Sequence, residues 1–201
     1  MISLTEPNLD ITAAYGDESV RMVGDPPFYM LGATVFNGDC EHALGVLAEL
    51  KPPSAAKLHW RDMGYKLQRK SLEIISELDC ATIVAIARPL DGRRQERARR
   101  KCLEKLAIAL EEAGVESLVL ETRDEHLDRR DIEFVKGAKA SMRIGPISIA
   151  HADASTSQRL WIPDQIIGAL GDTLTHVGNW EKWQTEWAKA ELGVETIEVG
   201  L

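Results

Sequence analysis

The chain has 201 residues, of which 44% are hydrophobic and 28% charged, with a formal net charge of −8 at pH 7. These are globular proportions, and at about 100–200 residues per domain the length gives one domain over 1–201. The acidic balance excludes a protein that coats polyanions with its whole surface; no run reaches the about 20 apolar residues of a membrane span, and residues 1–10, with Glu6, Asp10 and no apolar stretch, form no secretory signal.

Leu9 to Gly16 alternates toward Ile11, Ala13 and Tyr15, and Phe28 to Phe36 is apolar and rich in strand formers. Two neighbouring strands follow, with Ser19 to Pro27 as their turn. Ala43, Leu44, Leu47 and Leu50 share one helical face over 41–50, with Asp39 as N-cap, and a second helix covers Tyr65 to Leu78. Ala81 to Ala87 has the length of a buried strand. Ala98, Cys102, Leu106, Ala109, Leu110 and Ala113 stripe a long helix from Arg93 to Ala113, which Gly114 stops. Val115 to Leu120 is a strand ending in Glu121, Asp131 to Met142 a helix, and Ile147 to His151 a strand. A Ser155-Thr156-Ser157 turn then leads into a helix from Leu160 to Leu174. The last helix, Asn179 to Leu192, carries Trp180, Trp183 and Trp187 at helical spacing, and a tail completes 179–201. That stripe serves either core docking or a homodimer surface. Cys40, Cys80 and Cys102 have no CxxC spacing and sit in apolar patterns, which favours reduced thiols and a cytoplasmic setting.

This alternation implies an α/β fold, a central mixed β-sheet flanked by helices. The pattern alone also allows a doubly wound sheet. Two motifs arbitrate: Tyr15-Gly16-Asp17-Glu18-Ser19 at the end of the opening strand, and Asp153-Ala154-Ser155 followed by Leu160-Trp161-Ile162-Pro163-Asp164-Gln165-Ile166-Ile167-Gly168-Ala169. Together they resemble the family called "domain of unknown function 3800", whose members open with an Asp-Glu-Ser-Gly strand end and close with a Leu-Gln-x-Ala-Asp-Leu-Ile-x-Gly helix. The resemblance implies a ribonuclease H-like fold: three strands, then helix, strand, helix, strand and helix. Residues 39–78 would be a helical insertion between strands 2 and 3. Val20, Trp161 and Pro163 depart from the family pattern; Pro163 falls in a first turn, where its missing N–H breaks no helical bond.

In that fold Asp17 ends a central strand, Glu121 ends its neighbour, and Asp164 starts the last helix. Phosphodiester hydrolysis in the superfamily uses two hard cations about 4 Å apart, and Mg2+ or Mn2+ prefers carboxylate oxygen. Asp17, Glu121 and Asp164 are therefore the expected metal ligands, with Glu18 or Asp153 as outer helpers. Strand alternation puts Asp17 on the Ala13 and Tyr15 face and turns Glu18 away. Asp164, Gly168 and Gly171, at i, i+4 and i+7, leave a smooth strip below the carboxylate. Plainer readings stand beside these: a solvated strand end at 17–19, a first-turn acid for the helix dipole at 164, and loop acids at 121 and 153.

Within an acidic chain, 88–101 is a local basic run, and Arg93, Arg97, Arg100 and Lys101 fall opposite the apolar stripe. They line either a nucleic-acid backbone or an ordinary solvated face. His59 and His151 are each placed to orient a water or leaving group, or to serve as hydrogen-bonded structural histidines. No HExxH, GxSxG, P-loop or GxGxxG is present, so a structural zinc site and serine-hydrolase, nucleotide-triphosphate or dinucleotide chemistry have no support. The expected function is a metal-dependent nuclease acting on RNA or DNA; the alternative is a non-catalytic module of the same fold that recruits a protein or nucleic acid.

Overall fold

A computed structural model describes residues 12–23, 25–176, 181 and 193–201. Its strands are β1 (Ala13–Arg21), β2 (Phe28–Phe36), β3 (Cys80–Ala87), β4 (Ser117–Glu121), β5 (Ser148–Ala152) and β6 (Gly193–Val199). Its helices are α1 (Glu41–Leu50), α2 (Tyr65–Ser76), α3 (Gln95–Glu112), α4 (Glu125–Ala140) and α5 (Trp161–Thr175). The strands form one mixed sheet in the order β5-β4-β1-β2-β3-β6. β2 runs antiparallel to both of its neighbours, and every other pairing is parallel.

Helices cover both faces of the sheet because its central strands are apolar on both sides: all of β2 is buried except its last residue. On one face Ala98, Cys102, Leu103, Leu106 and Leu110 of α3 pack with Ala14, Leu31, Ala85 and Leu118. On the other, Leu44, Leu47, Trp60, Leu72, Ile75, Trp161 and Ile162 pack around Tyr15. Helix α3 stops where the sequence predicts: Gly114 takes φ +80°, and Gly114 and Val115 return their N–H groups to the carbonyls of Glu111 and Leu110.

Several boundaries differ from the sequence reading. β1 runs on to Arg21, because 17–21 keep pairing with β2 after β4 has ended at the Gly16–Leu120 register. α4 begins at Glu125 instead of Asp131: the Asp124 carboxylate accepts the Leu127 N–H at 2.9 Å and caps a charged first turn in which no apolar stripe is visible. Asp39 accepts the Glu41 N–H, with Cys40 as the boundary residue of α1. The expected tail contains β6, whose Glu195 and Glu198 hid it from a search for apolar runs. Leu9, Ile11 and the tryptophan helix, with Trp180, Trp183 and Trp187, lie outside the described residues. Among the described residues no helix is long and apolar enough to cross a membrane. All three cysteines are free; burial pushes the Cys102 thiol up to about 12.

One charged network spans the α3 face. Arg99, assigned by sequence to the basic run, is 2% exposed, because it shares its helical face with Cys102, Leu103 and Leu106. Its guanidinium donates to Asp131 (Nε 3.0 Å, Nη2 2.7 Å), Glu18 (2.5 Å) and the Tyr29 hydroxyl (3.1 Å). Asp131 also meets His151 Nε2 at 3.2 Å and Arg123 at 3.3 Å. Burial lowers the Arg99 pKa, but Tyr29 and the carboxylates of Asp131 and Glu18 outweigh it and hold the guanidinium above its ordinary value. Burial likewise opposes the charge on Asp131, but His151, Arg99 and Arg123 bring it down to about 2.

Asp131→Asn leaves a buried guanidinium short of counter-charge, so it is expected to cost about 3–5 kcal/mol in urea unfolding. The native carboxyl sits below its unfolded value, so its contribution is complete above about pH 4 and is lost as pH falls toward 2. The variant's stability should therefore be flatter across that window.

Candidate functional site

Three chain-distant carboxylates share one pocket. Residue 17 lies one step beyond the last β1–β4 pair, Glu121 is the final residue of β4, and Asp164 is in the first turn of α5. All three line a cavity of about 280 Å³, together with Lys57, His59, Arg61 and Arg123. Strand alternation explains the selection, since Tyr15 belongs to the α5-side core and Ala14 to the α3-side core. Glu18 accordingly turns to Tyr29 and Arg99, although it too lines the cavity.

Asp164 is 6% exposed. Its Oδ1 meets His59 Nδ1 at 2.9 Å, and its Oδ2 accepts the Trp60 backbone N–H at 2.8 Å and the Gln165 amide at 3.0 Å. The segment 57–61 is thereby fastened to α5. The predicted glycine strip is used from both sides: a Cβ on Gly168 would fall 2.3 Å from Cγ of Trp60, and one on Gly171 would fall 2.3 Å from Nε of Arg21. The strip accommodates Trp60 and Arg21, with the indole Nε1 donating to Asp172 at 2.9 Å. Gly32 makes the matching concession in the sheet, where an added Cβ would strike Ile167.

Lys57 Nζ lies 2.5 Å from Glu121 Oε1, while Oε2 of Glu121 is buried with no hydrogen-bond partner. Asp17 Oδ1 accepts the Glu18 N–H at 2.7 Å. Burial, then the charges of Asp164 and Glu121, raise the Asp17 pKa well above the ordinary carboxylate value, against Lys57. Burial opposes the charge of Lys57; its bond to Glu121 and the three acids more than restore it. The hydrogen bond to Asp164 raises His59 against its partial burial.

Of the predicted helpers, Asp153 stays outside the pocket: exposed after β5, its carboxylate accepts the Ser155 N–H at 2.7 Å and builds the turn before α5. His151 is on the α3 face with Asp131. Arg97, Arg100 and Lys101 share a separate cleft, and Arg93 is exposed in the single turn before α3, outside both. Sequence reasoning passed over Lys57, Arg61 and Arg123. The cue was the Lys57-Leu58-His59-Trp60-Arg61 run, where basic and aromatic residues alternate immediately after a proline loop.

As a donor set, Asp17, Glu121 and Asp164 offer hard oxygen, and the orphaned Glu121 Oε2 and proton-hungry Asp17 are the carboxylate groups whose surroundings leave them least satisfied. Among the described residues, no group of three or more His, Cys, Asp or Glu has its atoms arranged to hold a metal ion. Lys57 occupies one oxygen of Glu121, and both oxygens of Asp164 already accept hydrogen bonds.

No protein-family model matches the chain. No curated protein matches it either.

Asp17→Asn keeps the acceptor for the Glu18 N–H and removes one of three crowded charges. A raised folded pKa stabilises below the unfolded value, and that stability is lost as pH rises through the folded value. The metal-free variant should therefore melt higher than the native chain at pH 7. The gain should disappear on acidification below about pH 4, where the native carboxyl is protonated too; thermal scans across pH measure both.

Proposed function

We propose that the carboxylate pocket is the active site of a divalent-cation-dependent phosphodiesterase, a nuclease acting on RNA or DNA. The observation that carries this reading is the convergence of Asp17, Glu121 and Asp164 from three separate elements on one cavity. We read the chain as a ribonuclease H-like domain similar to the domain of unknown function 3800 family. The order β1-β2-β3-α3-β4-α4-β5-α5 supports this, with α1 and α2 as the insertion between the second and third strands.

Asp17 and Glu121, helped by Asp164, would hold Mg2+ or Mn2+, which supplies charge neutralisation at the phosphoryl group and an activated water. The protein's own groups divide the remaining work. Arg61 and Arg123, both lining the cavity, bind and orient the phosphodiester. Asp164 fixes the His59 ring through Nδ1 and raises its pKa, so Nε2 is the atom that delivers a proton to the departing oxygen. Trp60, buried against Gly168, excludes water from beneath the His59–Asp164 pair.

A second reading is favoured by one contact: the Lys57 ammonium on Glu121 neutralises part of the pocket without any metal ion. On that reading the domain is a non-catalytic module that binds a protein or nucleic-acid partner.

Purified protein incubated with labelled RNA and DNA, with Mg2+ or with chelator, separates them. The nuclease reading expects cleavage that chelation abolishes, a loss on the order of 10²–10³-fold for Asp17→Asn, and a loss of about 10–100-fold for His59→Ala. Cleavage that survives both chelation and Asp17→Asn would refute it, and calorimetry detecting no Mn2+ binding would leave the module reading.

A further inference from the structure

We infer that the cleft between α3, α4 and the end of β6 seats a short single-stranded stretch of nucleic acid, apart from the carboxylate pocket. The class of ligand rests on the nucleic-acid reading above; the site itself rests on separate residues. In a chain of net charge −8, this cleft of about 530 Å³ is lined by five cations, Arg97, Arg100, Lys101, Lys105 and Arg143, and only two acids, Glu104 and Glu198.

Both acids are already engaged, Glu104 with Arg143 and Glu198 with Arg88. Lys101 donates to the Gly200 carbonyl. Arg97, Arg100 and Lys105 remain exposed along the helix and free of those pairs, so the cleft carries an uncompensated positive field. Arg97, Lys101 and Lys105 stand at i, i+4 and i+8. A rise of about 1.5 Å per residue spaces them by about 6 Å along one ridge, a repeat suited to successive phosphates of an extended strand.

The opposite wall distinguishes a nucleic acid from any other polyanion. Phe134 of α4 is half-buried, and the Arg143 guanidinium lies over its ring at 5.4 Å from the centroid. An aromatic ring with a guanidinium over it, beside a cationic ridge, offers unpaired bases a surface to pack on. A duplex keeps its bases inside and would present only phosphates to this wall. The two cavities also meet along one helix: Arg99 lines the carboxylate pocket, while Arg97 and Arg100 line the cleft.

Fluorescence anisotropy of the full chain with a short labelled oligo(dT), in chelator so that cation-dependent cleavage is silent, tests the site. The triple variant Arg97→Gln, Arg100→Gln, Lys105→Gln should bind at least about tenfold more weakly. Its slope of log K against log salt should be shallower by about 2, at about 0.7 per lost phosphate contact. Phe134→Leu should weaken oligo(dT) by about tenfold and leave binding of a poly-glutamate peptide unchanged; Arg143→Gln serves instead if circular dichroism shows Phe134→Leu unfolded. Native affinity in the triple variant, equal affinity for poly-glutamate and oligo(dT), or no effect of either platform variant on oligo(dT) would overturn the inference. Oligo(dT) binding by a native chain that cleaves neither RNA nor DNA with Mg2+ would keep this site while discarding the nuclease reading.

Discussion

Everything at the pocket depends on how the chain satisfies Asp164. A carboxylate this deeply buried costs several kcal/mol unless its oxygens find donors, and every donor it finds is committed by the fold: a ring nitrogen, a backbone N–H and a side-chain amide. Two come from the segment between α1 and α2, which has no regular structure of its own beyond a single turn at Trp60–Asp62. The helix thus supplies the acid, and the loop is ordered by having to meet it. The indole of Trp60 then fills the space Gly168 leaves open, so polar and apolar fits fix the same residues.

The sheet sorts charge by parity. Neighbouring acids on β1 meet opposite environments, because successive strand residues face opposite sides. Glu18 enters a network in which Arg99 more than balances it, and there its charge contributes to holding β1, α3 and α4 together. Asp17 enters a pocket already holding two other acids, where its charge is a strain on the fold. The well-paired network and the crowded acids thus lie on opposite sides of one strand, with Arg123 reaching from the first into the cavity of the second.

Much of this was legible from sequence wherever local pattern and tertiary role agree. The α3 stripe, its glycine stop and the apolar β2 and β3 gave correct elements because burial follows their periodicity directly. The gathering of Asp17, Glu121 and Asp164 was expected only through the fold that the two motifs' resemblance implies, since local pattern alone left the sheet topology open. What escaped was set by contacts distant in sequence. Arg99 looked like one more member of a basic run, and only the position of Asp131 makes its burial tolerable. Lys57 has no local signal for its partner on β4. β6 carries glutamates at positions an exposed edge permits, and Asp153, equally acidic, is consumed by its own turn.

That last strand has a consequence for how copies of the chain coexist. Among the described residues, β6 and the five-residue β5 are the two outer strands of the sheet, and an outer strand is where another chain could add. On β6 Glu195 and Glu198 are exposed on opposite faces of the strand, so a second copy adding alongside in parallel register would set carboxylate against carboxylate on each face. On the other rim there is little length to grip. Among the described residues, neither margin therefore offers a long uncharged template for a further strand.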